Sequence, residues 1–477
     1  MKKRTLRFLF VVLVTMPMVA CSQSAVLKTA VSANEIRINQ LGFYPGQAKI
    51  AVLNSVKSRN FILYTADKKK KVFEGRLQES VLPGLNGKKT QIADFSAFDK
   101  TGEFVLFVED TGYSVPFSIQ PGVFKELARA SAKAFYYQRA STDLPETYAG
   151  KWHRIAGHPD DKVLVHPSAA TESRAAGFMI SAPGGWYDAG DYNKYIVNSG
   201  ISMGTLLSLY EDFPVYVRTM NLNIPDSKNN IPDLLDEILS NLRCMFAMQD
   251  PEDGGVYHKL TNAAFDGIVT PDFTKDPRYV VQKGTAATLD FAAVTAQASR
   301  LFKKFEKELP GLADSCLEAS LKAWNWAQKN PAIVYDQTAM NRLYQPEIST
   351  GGYGDKNFDD EFIWAACELF ITTGEEKYYT AVNMYADERM PMPSWPNVRL
   401  LGYYSLLRNQ QVSKNLIPPD ISKLKERMLT MANDLVDGVN DRAYKTVMGK
   451  SAREFSWGSN SVAANQAIAL IQAYRLS

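Results

Sequence analysis

YSVPFSIQPGVFKELARASAKAFYYQRAS, residues 113–141, is where the chain changes its period. Ahead of Pro121 apolar and polar side chains alternate, as on a strand with one buried face. Beyond it apolar side chains return every three to four residues, as on one face of a helix. Reading backward from this junction, seven short runs (EIRIN, AKIAVL, FILYT, KVFEGRL, QIADFS, GEFVLFVE and YSVPFSI) lie between Glu35 and Gln120. Breakers such as YPGQ, LPGLNG and DKTG separate several of them. This pattern predicts a β-sandwich over residues 35–120. Reading forward, ten helical segments follow, from FKELARASAKAFYYQRAS to NSVAANQAIALIQAYRL, including EEKYYTAVNMYAD. Residues 121–477 are expected to form an all-α domain. Several of its helices are apolar on more than one stripe, which fits a double-layered toroid. The last one stops at AYRLS, on an apolar helix that would normally have something packed against it.

A chain of 477 residues is too long for one ordinary domain and has ample material for a large core. Lys2, Lys3, Arg4 and Arg7 precede the run FLFVVLVTMPMVA, which is too short to span a bilayer and reads as a secretory signal over residues 1–20. The run ends in MVAC, which resembles the lipobox of bacterial lipoproteins, so Cys21 is the expected lipidation site, with residues 21–34 as a linker. Met18 stands where that motif usually has Leu, which leaves ordinary cleavage and release as the alternative. The protein is therefore expected to be exported, as an outer-membrane lipoprotein on the periplasmic or cell-surface side or as a secreted protein. A lipid anchor is the only membrane contact expected.

The formal charge of +3 falls to about −1 once residues 1–20, with four basic and no acidic side chains, are set aside. A near-neutral surface argues against nucleic acid as a partner and suits an uncharged substrate. Cys244, Cys316 and Cys367 are scattered singly, so they form no disulfide framework and read as small buried apolar residues. With no Cys/His cluster and no EF-hand loop, neither metal nor cofactor is expected, and the protein is expected to be a monomer.

GGWYDAGDYNKY, residues 184–195, holds the most chemistry. Asp188 and Asp191 stand three apart, across an Ala-Gly link that permits a sharp turn. Trp186, Tyr187, Tyr192 and Tyr195 surround them. Glycosidic hydrolysis uses such equipment: a carboxylate activates water, a second acid protonates the leaving oxygen, and aromatic faces hold the sugar ring. The plainer reading is a turn and helix cap ahead of NKYIVNSGISMGTLL. Trp186, Tyr187, His258, Tyr353, Trp395 and Trp457 fall in Gly- or Pro-rich loops, where stacking on sugars competes with core packing. Trp324 and Trp326 read as helix core. Asp359, Asp360 and Glu361 open a helix and suit its N-terminal dipole; Asp236 and Glu237 read as a solvated or supporting pair.

GGWYDAGDYNKY resembles the signature turn of glycoside hydrolase family 9, the inverting β-glucanases and cellulases built on an (α/α)6 barrel. IRINQLGFYPGQAKIAVL resembles the start of the immunoglobulin-like domain carried by one branch of that family. IPDLLDEI, MQDPEDGGVYHKL, TAATLDFAAVTAQASR, GGYGD, DDEFIWAACELFITTG and FSWGSNSVAANQAIAL match in order. The resemblance covers nearly everything after the signal. It implies an endo-β-1,4-glucanase acting on cellulose or on a mixed-linkage or xyloglucan-type chain. It also implies Asp191 as general base, Asp188 as the acid that positions the same water, and Trp186, Tyr187, His258, Tyr353 and Trp457 as substrate contacts.

An inverting pair stands about 6.5–9.5 Å apart, so the resemblance puts the general acid outside this turn. In the family that acid is a Glu in a late NE motif beyond FSWGSNSVAANQAIAL. Here only twelve residues follow Asn465, and all four histidines (His153, His158, His166 and His258) come early. Ten helices against the barrel's twelve point the same way. The sequence therefore reads as a family member with an incomplete barrel and doubtful activity. The alternatives are a non-catalytic glucan-binding lipoprotein and an inactive fragment.

Overall fold

A computed structural model describes residues 35–54, 56–385, 387–410 and 418–477. The expected signal segment, the expected lipidation site Cys21 and the expected linker fall on residues 1–34, outside the described residues. The chain separates into two compact units. One runs through Val123 and includes Asn440–Lys445; the other comprises Phe124–Val439 and Thr446–Ser477.

The first unit is a β-sandwich of eight strands: β1 (Ile36–Ile38), β2 (Ile50–Asn54), β3 (Asn60–Thr65), β4 (Lys71–Glu79), β5 (Thr90–Asp94), β6 (Gly102–Val108), β7 (Gly112–Tyr113) and β8 (Phe117–Ile119). Their order is β1-β2-β5-β4-β3-β6-β7, with β8 also on β6 and every pair antiparallel. β4 joins the two halves. Its first part pairs with β3 through Arg76, and Leu77–Glu79 pair with β5. Side chains two apart fill the core: Ala51 and Leu53, Phe61 and Leu63, Phe104, Leu106 and Val108, Phe117 and Ile119. Each fully buried Phe or Leu there contributes about 1.5–3 kcal/mol. The run YSVPFSI becomes two strands because Pro116 has no N–H to continue a ladder. Residues 440–445 complete this unit, where the Asp441 carbonyl accepts from the Leu82 N–H at 2.7 Å and the Ala443 carbonyl from the Thr90 hydroxyl.

The second unit is helical. Its first helices are α1 (Lys125–Tyr137), α2 (Glu146–Ala149), α3 (Ile196–Asp212), α4 (Pro214–Arg218), α5 (Asp233–Ala247) and α6 (Thr285–Phe302). Then come α7 (Leu312–Lys329), α8 (Gln337–Leu343), α9 (Asp359–Thr373), α10 (Glu376–Thr380), α11 (Arg399–Arg408), α12 (Pro418–Val436) and α13 (Ser459–Leu476). The described residues thus hold thirteen helices, not ten. The additions are the short α2, α4 and α8, and EEKYYTAVNMYAD is helical only over α10. α6 packs against α3, α7 and α9, and all of it but Arg300 is buried. Its many alanines allow that approach from several sides. Arg300 is satisfied by Glu211 at 2.9 Å and Glu368 at 2.6 Å. On α13 only Gln466, Ala469 and Ala473 are buried, and Ile471 and Tyr474 face solvent.

The all-α expectation needs one correction. Five short strands, β9 (Val163–Val165), β10 (Met179–Ile180), β11 (Lys194–Tyr195), β12 (Lys259–Asn262) and β13 (Arg278–Val280), form a sheet in the order β10-β9-β13-β12-β11. Strands this short leave no readable alternation, and their pairing partners are far apart in sequence. This sheet carries the aspartate turn.

Candidate active site

The turn is anchored before it is armed. Gly184 and Gly185 adopt φ of +72° and +81°, and a Cβ on Gly185 would stand 2.9 Å from the Cys244 sulfur, so only glycine fits there. The Trp186 N–H donates to Asn241 Oδ1 at 3.1 Å and the Tyr187 N–H to the Gln138 carbonyl at 2.9 Å. Past the acids, Lys194 reaches back to Asp160 at 2.7 Å and to the carbonyls of Ala182 and Gly184 at 2.8 and 2.9 Å. Arg278 shares Asp160 at 2.9 Å and donates to the Tyr192 carbonyl at 2.8 Å. These charges are buried but paired, so their desolvation is offset.

Within this frame Asp188 and Asp191 are half-buried, and each is held by two donors. Asp188 accepts from Asn198, on the first turn of α3, at 2.7 Å and from the Tyr353 hydroxyl at 2.9 Å. Asp191 accepts from the Asn193 N–H at 3.2 Å and from the Tyr195 hydroxyl at 2.7 Å. Burial raises the Asp188 pKa, the two hydrogen bonds pull it back, and the charge of Asp191 raises it further. The rings of Tyr195 and Tyr353 meet at 4.7 Å, and Trp395 meets Tyr353 edge-on at 5.4 Å. A run of three aromatic rings thus leads away from two fixed, partly open carboxylates. Carboxylates held in this way can accept hydrogen bonds from a water and take its proton.

The other candidate residues take different places. Trp186 is buried in the core with its Nε1–H on Glu237 at 2.8 Å, although its ring also lines a cavity of about 270 Å³ shared with Asp188, Phe135 and Ser199. Tyr187 is buried too. It accepts from His158 Nδ1 at 2.9 Å and donates to the Gly157 carbonyl at 3.2 Å. His258 is not open to a substrate: it is 1% exposed, stacked on Tyr335 at 4.1 Å, and donates through Nε2 to the Gly352 carbonyl at 2.8 Å. Burial lowers its pKa to about 3, so it is a neutral ring that secures the loop leading to Tyr353. Trp457 projects fully into solvent. Asn198, Tyr195 as a donor, and Trp395 as the continuation of Tyr353 are the contributors that sequence alone does not bring together.

One acid cluster differs from its sequence reading, and a second takes the supporting alternative of its reading. Only Asp359 is exposed at the start of α9; Asp360 and Glu361 are buried, with Asp290 of α6 acting on them. Burial raises the pKa of all three, and the charges of Asp360 and Asp355 raise those of Asp290 and Glu361 further. Asp236 and Glu237 are not solvated: both are buried, and Glu237 receives Arg139 at 2.9 Å. Among the described residues no group of three or more His, Cys, Asp or Glu side chains is placed to hold a metal ion. Cys244, Cys316 and Cys367 are free and buried, which keeps their thiols protonated.

Comparison with known proteins shows the family of the chain. Residues 124–477 match the family model for Glycosyl hydrolase family 9, and residues 31–113 match that for the Cellulase N-terminal ig-like domain. The chain is 45% identical to the xyloglucan-specific endo-β-1,4-glucanase BoGH9A of Bacteroides ovatus, over 96% of this chain and 77% of that protein. It is 30% identical to Endoglucanase D of Acetivibrio thermocellus, over 100% of this chain and 72% of the relative. Among solved structures, a Bacteroides ovatus GH9 protein superposes with a TM-score of 0.88 at 44% identity, covering 93% of this chain and 81% of that one. A thermostable endoglucanase from Alicyclobacillus acidocaldarius superposes with a TM-score of 0.80 at 27% identity, covering 93% and 78%. The chain belongs to glycosyl hydrolase family 9, with an ig-like β-sandwich ahead of the helical hydrolase domain.

Proposed function

We propose that the protein binds a β-1,4-linked glucan across the Asp188–Asp191 turn and that these two carboxylates handle the water of an inverting hydrolysis. Asp191 is the general base, and Asp188 positions the same water. The observation that supports this most is that each carboxylate is oriented by its own tyrosine, Tyr195 for Asp191 and Tyr353 for Asp188. Tyr353 and Trp395 are the sugar-facing rings, and Trp457 is a further contact open to solvent. The specificity named for the Bacteroides ovatus relative makes xyloglucan the first substrate to try, ahead of cellulose and mixed-linkage glucan.

The helices are read as an (α/α)6 barrel. Asp290, Asp360 and Glu361 are buried together and Glu237 is tied to Arg139, so none of them is offered as the general acid. Hydrolysis by the Asp188–Asp191 turn without a general acid would be slower by roughly 10²–10⁴. A glucan-binding role without cleavage is the second reading, favoured by the Tyr353–Trp395 rings, which need no acid to bind sugar. The protein is read as an exported monomer, held to the outer membrane through Cys21 or released.

Titration calorimetry with a xyloglucan oligosaccharide, combined with reducing-end release, tests this. Binding that weakens in Trp395→Ala and release that stops in Asp191→Asn support the reading. No binding to any β-glucan would remove it.

A further inference from the structure

Lys259, the first residue of β12, is fully buried. Buried lysines are rare because the ammonium gives up its hydration, so this one must be strongly compensated. All three of its donors are used: Gln337 Oε1 at 2.7 Å, Thr350 Oγ1 at 2.9 Å and the Gly351 carbonyl at 2.6 Å. Gln337 closes the ring by donating to the Thr350 carbonyl at 2.7 Å. The ammonium also lies 5.5 Å from the ring centres of both Tyr195 and Tyr335, where cation–π attraction adds to its hold. Next to it, His258 grips Gly352.

What these residues hold is the loop that reaches the aspartates. The Gly351 N–H donates to the Tyr195 hydroxyl at 3.1 Å, which leaves that hydroxyl's proton for Asp191. Two residues on, Tyr353 donates to Asp188. Tyr353 holds a φ of +49°, a conformation a tyrosine keeps only when its surroundings impose it. Burial lowers the Lys259 pKa to about 7, and the charge of Asp191 works the other way, favouring its ammonium form.

We propose that Lys259 is a positioning residue for the Asp188–Asp191 pair, holding Thr350 and Gly351 so that the Gly351 N–H and the Tyr353 hydroxyl orient the two carboxylates. Its role in turnover rests on the glucanase reading; its hold on the loop does not.

The test compares full-length wild type with Lys259→Met and Lys259→Gln by hydrogen exchange and by carbon NMR of the aspartate carboxyls. In Lys259→Met, exchange across residues 349–355 rises at least about tenfold while α6 keeps its protection. The Asp188 titration midpoint also moves up by about one pH unit as its tyrosine donor is lost. Lys259→Gln, which keeps donors but no charge, falls between the two. If Lys259→Met loses α6 protection as well, Lys259→Gln decides by the same comparison. On xyloglucan the expected signature is a kcat at least tenfold lower with KM within about twofold. Unchanged exchange at 349–355 together with an unmoved Asp188 midpoint would overturn the proposal. A wild type that neither binds nor cleaves glucan would instead count against the glucanase reading, with the exchange result still deciding the role of Lys259.

Discussion

Tyr195 and Tyr353 meet ring to ring at 4.7 Å, and each donates its hydroxyl to a different aspartate of the same turn. The two rings brace each other, so the separation of the carboxylates depends on residues far apart in sequence. Removing either hydroxyl should therefore impair chemistry more than folding. Tyr353→Phe and Tyr195→Phe are expected to lower kcat on xyloglucan roughly 10- to 100-fold, as for one hydrogen bond to a charged group. Their thermal midpoints should stay within a few degrees of wild type. Steady-state kinetics and a melting curve on each variant check both halves.

Trp395 and Trp186 should separate binding from stability. Trp395 is partly exposed beside Tyr353, whereas Trp186 is buried with its N–H on Glu237. Trp395→Ala should weaken oligosaccharide binding about tenfold at unchanged stability. Trp186→Ala should cost about 3–5 kcal/mol of folding free energy. Calorimetry and chemical denaturation distinguish the two.

Burial raises the Asp236 pKa to about 7. The native state therefore keeps a proton that the unfolded chain has lost above its ordinary carboxyl range. Stability from this group is fully present below about pH 4 and is lost as pH rises through 7, by on the order of 3 kcal/mol. Asp236→Asn should flatten that stretch of the stability profile and stabilise the protein at neutral pH. Urea unfolding at several pH values measures it.

Arg139 joins Glu237 to Asp226, at 2.9 Å from each. Removing it leaves Glu237 buried without its counter-charge. Arg139→Met should destabilise by about 3–5 kcal/mol, and the double variant with Glu237→Gln should recover part of that loss. A double-mutant cycle on unfolding free energies tests the coupling.

The elements legible in the sequence are those whose reason is local. Alternation at Phe61 and Leu63 or at Phe104 and Leu106 is enough to call a sandwich strand, and the switch past Pro121 marks the helical unit. Asp188 and Asp191 were visible because turn and acids are contiguous. Tyr353 is legible as a loop aromatic and, through the resemblance, as a substrate contact, but its bond to Asp188 spans 165 residues and is not. Lys259 carried no signal: its value comes from Gln337, Thr350 and Gly351, which only the small sheet brings to it. The same holds for Asp360 and Glu361, which look like helix-start acids until α6 places Asp290 against them. The resemblance implies Trp186 and His258 as sugar contacts; both are buried, beside glycines that serve close packing.

Reducing-end release from xyloglucan by the wild-type chain and by Asp191→Asn, followed over long incubation, tests the water-handling pair most directly. The expected result is slow release by wild type and none above background in Asp191→Asn, with oligosaccharide affinity within about threefold of wild type. Equal release from both proteins would contradict the assignment of Asp191 as the base.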